Sequence, residues 1–410
     1  MSNIERKPKI RFPEFTDAWE QREVRDLLVE RNEKSPKTDE FPLMAFIANK
    51  GVAEKGEKYD RSALVNDTEN KLYKKTKKGD FIYSSNNLET GSIGLNTFGN
   101  ACISPVYSIF YPTGAIDSDF IGRRFTRKDF INSMIKWRQG VVYGQWRIHE
   151  SDFLKINILV PTYEEQLKIG AFFKRLDSNI TLHQRKLEIL KKLKKGFLQK
   201  LFPQKDNKVP ELRFPGFSGD WEQCKLGDLG TTYSGLSGKK KEDFGHGEAR
   251  FITFLNVMNN AISDPSMTGS VEIDNKQNKV KKGDVLFTVS SETPNDVGTS
   301  SVIVNDCENT YLNSFCFGYR PKTEFDLFYL AYMLRAPSFR NDVILLAQGI
   351  SRYNISKNKV MEIKITIPSS EEQHKVGCAM KSIDNLITLH QRKLEILQNI
   401  KKGFLQQMFV

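Results

Sequence analysis

The sequence is poor in cysteine: Cys102, Cys224, Cys307, Cys316 and Cys378 are all it has, far apart and with no C-x-x-C pair. Such spacing supports neither a zinc ribbon nor a disulfide framework, and it suits a reducing cytosol. Long hydrophobic runs are missing too. Nowhere do about 18 apolar residues follow one another, and the opening MSNIERKPKIRFPEF is charged, without the apolar core of a secretory signal. These absences predict a soluble, cytoplasmic protein with no membrane partner.

Catalytic signatures are lacking as well. No G-x-x-x-x-G-K-[ST] phosphate loop occurs, since Gly235-Leu236-Ser237-Gly238-Lys239 has the wrong spacing. Ser104-Pro105-Val106-Tyr107 approaches the Asn/Asp-Pro-Pro-Tyr-like tetrad with which adenine methyltransferases hold an amino group. Its second proline is valine, however, and no glycine-rich cofactor loop precedes it, so it reads as strand. No nuclease-like cluster of spaced acids and lysine is evident. The expectation is a chain that is noncatalytic by itself, with no catalytic residue, no bound cofactor and no metal.

What the chain does have is basic charge and internal repetition. Its net charge is +12, which favours an anionic partner such as nucleic acid. Its 410 residues, 39% of them apolar, suffice for roughly two to four folded domains. The eleven residues ITLHQRKLEIL at 180–190 return unchanged at 387–397. Pro8-Lys9-Ile10-Arg11-Phe12-Pro13 with Trp19 returns as Pro210-Glu211-Leu212-Arg213-Phe214-Pro215 with Trp221, and Lys77-Lys78-Gly79-Asp80 returns as Lys281-Lys282-Gly283-Asp284. The chain is therefore a duplication whose helical tails match closely. Segments 30–150 and 232–355 share little beyond spacing and turn signals.

Each globular half mixes short strand-like runs, such as Phe81-Ile82-Tyr83 and Val285-Leu286-Phe287, with helical stretches near 127–138 and 324–336. The class expected is α+β. The tails carry an a/d stripe: Ile169, Phe173, Leu176, Ile180, His183, Leu187 and Leu190, repeated as Val376, Met380, Ile383, Ile387, His390, Leu394 and Leu397. Paired seams over this length predict two long helices in a coiled coil. A linker of about ten residues reaches at most about 35 Å, which makes the pair antiparallel and the molecule a dumbbell with a pseudo-twofold internal repeat. A histidine at matching seam positions fixes register rather than binding metal. The expected segments are 1–162 and 213–369 for the globular domains, 163–202 and 370–410 for the helices, and 203–212 for the linker.

This pattern resembles the specificity subunit of Type I restriction-modification enzymes. The resemblance rests on the junctions Val160-Pro161-Thr162-Tyr163-Glu164-Glu165-Gln166 and Ile367-Pro368-Ser369-Ser370-Glu371-Glu372-Gln373, and on the H-Q-R-K-L-E helices. Phe197-Leu198 and Phe404-Leu405 stand where the family usually has Leu-Leu. It implies that the globular domains are target-recognition domains, each reading one half of an asymmetric bipartite site in double-stranded DNA. The helices would set the gap and dock two methyltransferase (modification) subunits. S-adenosylmethionine, ATP and Mg would belong to partner subunits, with motor-nuclease (restriction) subunits completing the complex.

Two polar segments recur in both halves as candidate DNA contacts, the first of them just before each junction. One supplies Tyr143, Gln145 and Arg147 in the first half and Ser351, Arg352, Tyr353 and Asn354 in the second. The other, after the K-K-G-D strand, supplies Asn86 and Asn87, then Thr293 and Asn295. Arg suits guanine, and Asn and Gln suit adenine; ordinary exposed turns use the same residue types. Residues 174–202 hold nine Lys and Arg against two acids, and 381–410 five against two, so ten of the twelve net charges sit on the helices. The alternative is a coiled-coil adaptor or scaffold without DNA specificity, which an adjacent methyltransferase gene would argue against.

Overall fold

A computed structural model describes residues 6–54, 71–141, 145–204 and 207–410. It divides into two compact units, Met1–Leu182 with Lys393–Val410, and His183–Arg392.

The first unit is built on a four-stranded antiparallel sheet ordered Leu28–Glu30, Ser108–Pro112, Phe81–Tyr83, Ile93–Leu95. Side chains alternate across a strand, and here both faces are covered. Phe81 and Tyr83 point into a cluster with Phe110, Phe125 and Phe153, while Ile82 joins Met44, Ile103 and Ile109 on the other side. The helices α1 (Ser118–Phe125), α2 (Lys128–Ile135) and α3 (Glu150–Phe153) precede the long α4 (Tyr163–Lys200).

The second unit repeats the sheet order with strands Gly230–Ser234, Cys316–Pro321, Val285–Thr288 and Ser300–Val302. Its helices are α5 (Phe254–Asn259), α6 (Leu327–Met333), α7 (Pro337–Leu345), α8 (Lys357–Met361) and the long α9 (Ser370–Gln407). The accessory sheets share a plan: Ala101–Ile103 has Tyr73–Thr76 antiparallel on one side and a parallel bridge from Leu43, and Thr310–Leu312 has an antiparallel bridge from Lys279 and Phe244–Ile252 parallel.

The helical stretches expected near 127–138 and 324–336 are α2 and α6, and a second short helix adjoins each, α1 before α2 and α7 after α6. In the second unit Pro337 sits at the start of α7 and holds Ala336 extended (φ −66°, ψ 147°), which separates α7 from α6. In the first, Thr126 turns its hydroxyl back to the Gly122 carbonyl (2.9 Å), and Arg127 is extended.

The repeated motifs are anchors. Asp80 of the K-K-G-D turn is 2% exposed, accepts from the Lys77 amide at 2.7 Å and is gripped by Arg31 at 2.8 and 3.2 Å. Asp284 does the same with the Lys281 amide (2.8 Å) and Arg320 (2.8 and 2.7 Å). At the junctions Gln166 donates to the Pro161 carbonyl and accepts from the Asp117 amide, both at 2.9 Å, and Asp117 caps α1. Gln373, Pro368 and Asp326 repeat the arrangement at the start of α6. Arg11 clasps Glu165 through two 2.7 Å bonds, and Arg213 clasps Glu372 through two of 2.8 Å. These bonds hold both guanidinium groups above their ordinary pKa. Trp19 and Trp221 are buried.

The long helices run antiparallel in each unit. In the first, Phe172 meets Phe404 (ring centroids 5.0 Å apart) and Lys401 reaches Asp177 (2.6 Å). In the second, His183 and His390 join Nδ1 to Nδ1 at 2.8 Å, and Lys194 reaches Asp384 at 2.6 Å. Of the seam residues, Ile169, Phe173, Val376, Met380 and Ile383 are buried. Leu176, Ile180, His183, Leu187, Leu190, Ile387, His390, Leu394 and Leu397 are half-buried. In the second unit Ile189 and Leu193 on α4, with Leu386 and Leu389 on α9, are exposed. They fall at heptad positions c and g. In an antiparallel pair the g edges of both helices lie on one side, so these four residues share an apolar edge. Among the described residues no helix is long and apolar enough to cross a membrane.

Candidate nucleic-acid interface

The two segments singled out in each half are far apart in sequence, and the fold joins them. In the first unit strands Gln139–Val141 and Gln145–Arg147 form a two-stranded ribbon. The loop after Phe81–Tyr83 supports it: Asn86 Oδ1 accepts from the Trp146 amide (2.5 Å), and Ser85 Oγ from the Ile148 amide (3.0 Å). Glu89 of that loop takes both arms of the Arg138 guanidinium, at 2.6 and 2.7 Å, which holds its carboxyl below the usual range.

In the second unit Ser290–Ser291 pairs with Tyr353–Asn354, Ser290 facing Asn354 and Ser291 facing Tyr353. Gln348 and Asn354 exchange two backbone hydrogen bonds, at 3.0 and 2.8 Å, closing the ribbon loop. Gly349 has φ +139°, and a Cβ there would lie 2.0 Å from the Arg352 carbonyl oxygen, so the loop requires glycine. Arg340 braces the neighbouring turn by donating to the carbonyls of Asn295, Val297 and Gly298. Burial pulls its guanidinium down to about 10.

Gln145 and Arg147 are exposed on the first ribbon, and Arg147 stands 3.8 Å from Glu150. Tyr143 lies outside the described residues. Asn86 and Asn87 are exposed, with Asn86 Oδ1 already committed to the ribbon backbone. Ser351, Arg352 and Asn354 are exposed and Tyr353 is half-buried. Thr293 gives its hydroxyl to Asp296 at 2.5 Å, and Asn295 is exposed beside it. Polarity alone passes over Trp146, which is 49% exposed on the first ribbon.

Chemically, Gln145 and Arg147 of the first ribbon offer amide and guanidinium groups, and Ser351, Arg352 and Asn354 of the second offer hydroxyl, guanidinium and amide groups, to a flat or grooved partner. Among the described residues no group of three or more His, Cys, Asp or Glu is placed to hold a metal ion. All five cysteines are free thiols, and burial pushes Cys316 up to about 12, far from a reactive thiolate.

Two similar units with paired long helices match a known family. Residues 16–192 and 218–399 match the model of the Type I restriction modification DNA specificity domain, and the chain belongs to that family. Over 288 residues it is 26% identical to the Type I restriction enzyme MjaVIII specificity subunit of Methanocaldococcus jannaschii, covering 67% of this chain and 65% of that protein. It is 23% identical over 308 residues to the putative Type I restriction enzyme MjaX specificity subunit of the same organism, covering 69% of this chain and 64% of that protein. The chain thus spans just under two thirds of these relatives. Its fold is similar to the crystal structure of the Type I restriction-modification S subunit from M. genitalium, with a TM-score of 0.57 and 16% identity over 98% of this chain and 99% of the other.

Proposed function

We propose that this chain is the DNA sequence-specificity subunit of a Type I restriction-modification complex, noncatalytic by itself, with each unit reading one half of an asymmetric bipartite site. One observation carries the reading: a polar ribbon braced by the loop after the K-K-G-D strand recurs at the same place in two units whose residues there differ. A common scaffold with unlike reading residues suits two different words. Base edges are read by the side-chain types the ribbons expose.

Two methyltransferase subunits dock on the helices, and the apolar edge of Ile189, Leu193, Leu386 and Leu389 supports that contact. S-adenosylmethionine, ATP and Mg belong to partner subunits, with motor-nuclease subunits completing the complex in the cytoplasm. The length of the two helices sets the gap between half-sites.

The test is co-expression with a cognate methyltransferase subunit, followed by single-molecule sequencing for methylated adenines. A bipartite asymmetric motif should appear only when both chains are present. Exchanging residues 30–150 for those of another family member should rewrite one half of it. Methylation by the pure chain alone, or alteration of both halves, would overturn the proposal.

A further inference from the structure

Both units contain the same tight turn just before the strand that crosses the centre of the sheet. In the first it is Ser104–Tyr107, a turn and not the strand expected of it, closed by the Tyr107 amide on the Ser104 carbonyl at 3.3 Å. In the second it is Asn313–Cys316, closed by the Cys316 amide on the Asn313 carbonyl at 3.1 Å. Strand register shows that the turns correspond. Ser108 faces Tyr83 and Phe317 faces Phe287, and Tyr83 and Phe287 each stand three residues past the aspartate of the K-K-G-D turn. The strands that follow end on Pro112 and Pro321 at the same spacing.

On this register Val106 and Phe315 hold the same turn position, and they are 70% and 55% exposed. A single exposed apolar side chain is ordinary. Recurrence at one position of two turns that differ at all four residues is a different matter, because nothing in the turn itself demands it. The location is also shared. The Phe315 carbonyl accepts from the Val289 amide (2.9 Å), and Val289 accepts from Ile355 (3.0 Å), which places the turn against Ser290 and Asn354 of the ribbon. In the first unit Ser108, two residues past Val106, donates to Glu150 at 2.8 Å, and Glu150 stands by Arg147.

We infer that Val106 and Phe315 each read the C5-methyl group of a thymine in the major groove, one in each half-site, beside the bases addressed by the polar ribbon. This rests on the DNA reading proposed above. The chemistry selects the target: the thymine methyl is the apolar feature among the major-groove base edges, and a side chain without donors or acceptors gains affinity only there. Valine and phenylalanine differ in reach, so the two thymines stand at different offsets within their half-sites.

The test removes the methyl from the DNA and leaves the protein intact. The chain, assembled with its methyltransferase subunits, is used to select half-sites from randomised duplexes, and the 30–150 exchange assigns each half to a unit. Each thymine is then replaced singly by deoxyuridine. One replacement in each half should weaken binding about fourfold, the worth of one buried methyl. Phe315→Ala should abolish that sensitivity in the second unit's half alone, and Val106→Ala in the first unit's half alone. Half-sites without thymine, deoxyuridine without effect, or sensitivity that survives both substitutions would overturn the inference while leaving the DNA reading intact. Selection of no sequence at all would overturn both.

Discussion

Replacing Arg11 by methionine would strand a buried carboxylate at the start of a long helix. Glu165 has no exposed side-chain surface, and Arg11, 12% exposed, meets both its oxygens at 2.7 Å. Removing one partner of such a pair costs about 3–5 kcal/mol, most of it the penalty of an uncompensated buried charge. Replacing Glu165 by glutamine is expected to cost less, about 1–3 kcal/mol, because Arg11 keeps its bond to the Asp17 carbonyl and its reach to water. The Arg11→Met/Glu165→Met double variant should be less destabilised than Arg11→Met alone, since neither charge is then left buried. Acidification should narrow the gap between Arg11→Met and the parent by discharging the stranded carboxylate. Urea unfolding at neutral and acid pH gives all four values, and Arg213 with Glu372 offers an independent repeat in the second unit. A loss under about 1 kcal/mol for Arg11→Met, or a double variant at least as unstable as Arg11→Met alone, would refute the reasoning.

Inserting seven residues after Leu190 and seven after Leu397 preserves the a/d period and lengthens each helix by about 10.5 Å, or about three base pairs. The gap chosen from a randomised-spacer library should lengthen accordingly while both half-site words persist. Ile189→Asp with Leu193→Asp should leave helicity by circular dichroism unchanged and weaken assembly with the methyltransferase subunits at least tenfold by analytical ultracentrifugation. Replacing His183 and His390 together by leucine turns a polar seam layer apolar, and should raise the melting temperature by roughly 2–4 °C per kcal/mol gained; a lower melting temperature would contradict the packing argument.

The seam was legible because burial on one helix face imposes a period, and residues from Ile169 to Leu190 display it without help from the rest of the chain. The junction was legible for a related reason. Glu165, Gln166 and their counterparts each satisfy a buried bond, so their types recur. Less could be seen where partners are distant. Nothing local in Asn86 announces that it accepts from the Trp146 amide, and nothing in Ser290 announces Asn354. The helix expected near 324–336 ends at Met333, ahead of Pro337, whereas α7 beyond that proline was not expected. The parallel pairing of Phe244–Ile252 with Thr310–Leu312 depends on a long crossover that no window of sequence contains.

The first unit is completed by residues 393–410. Phe409 packs edge-on against Trp19 with ring centroids 6.3 Å apart, and Met408 lies in the same buried cluster. During synthesis the ribosome must therefore add some 227 further residues after Leu182, up to Phe409, before that core can close, about 11–45 s at about 5–20 residues per second. Over that interval Trp19 and Phe120 wait without their last partner, while every residue of the second unit emerges as one uninterrupted stretch. Premature termination near residue 392 would thus leave the later-made unit whole and the earlier-made one open, exposing an aromatic surface to chaperones and proteases. A nascent chain arrested at that point should be cleaved first in residues 6–182.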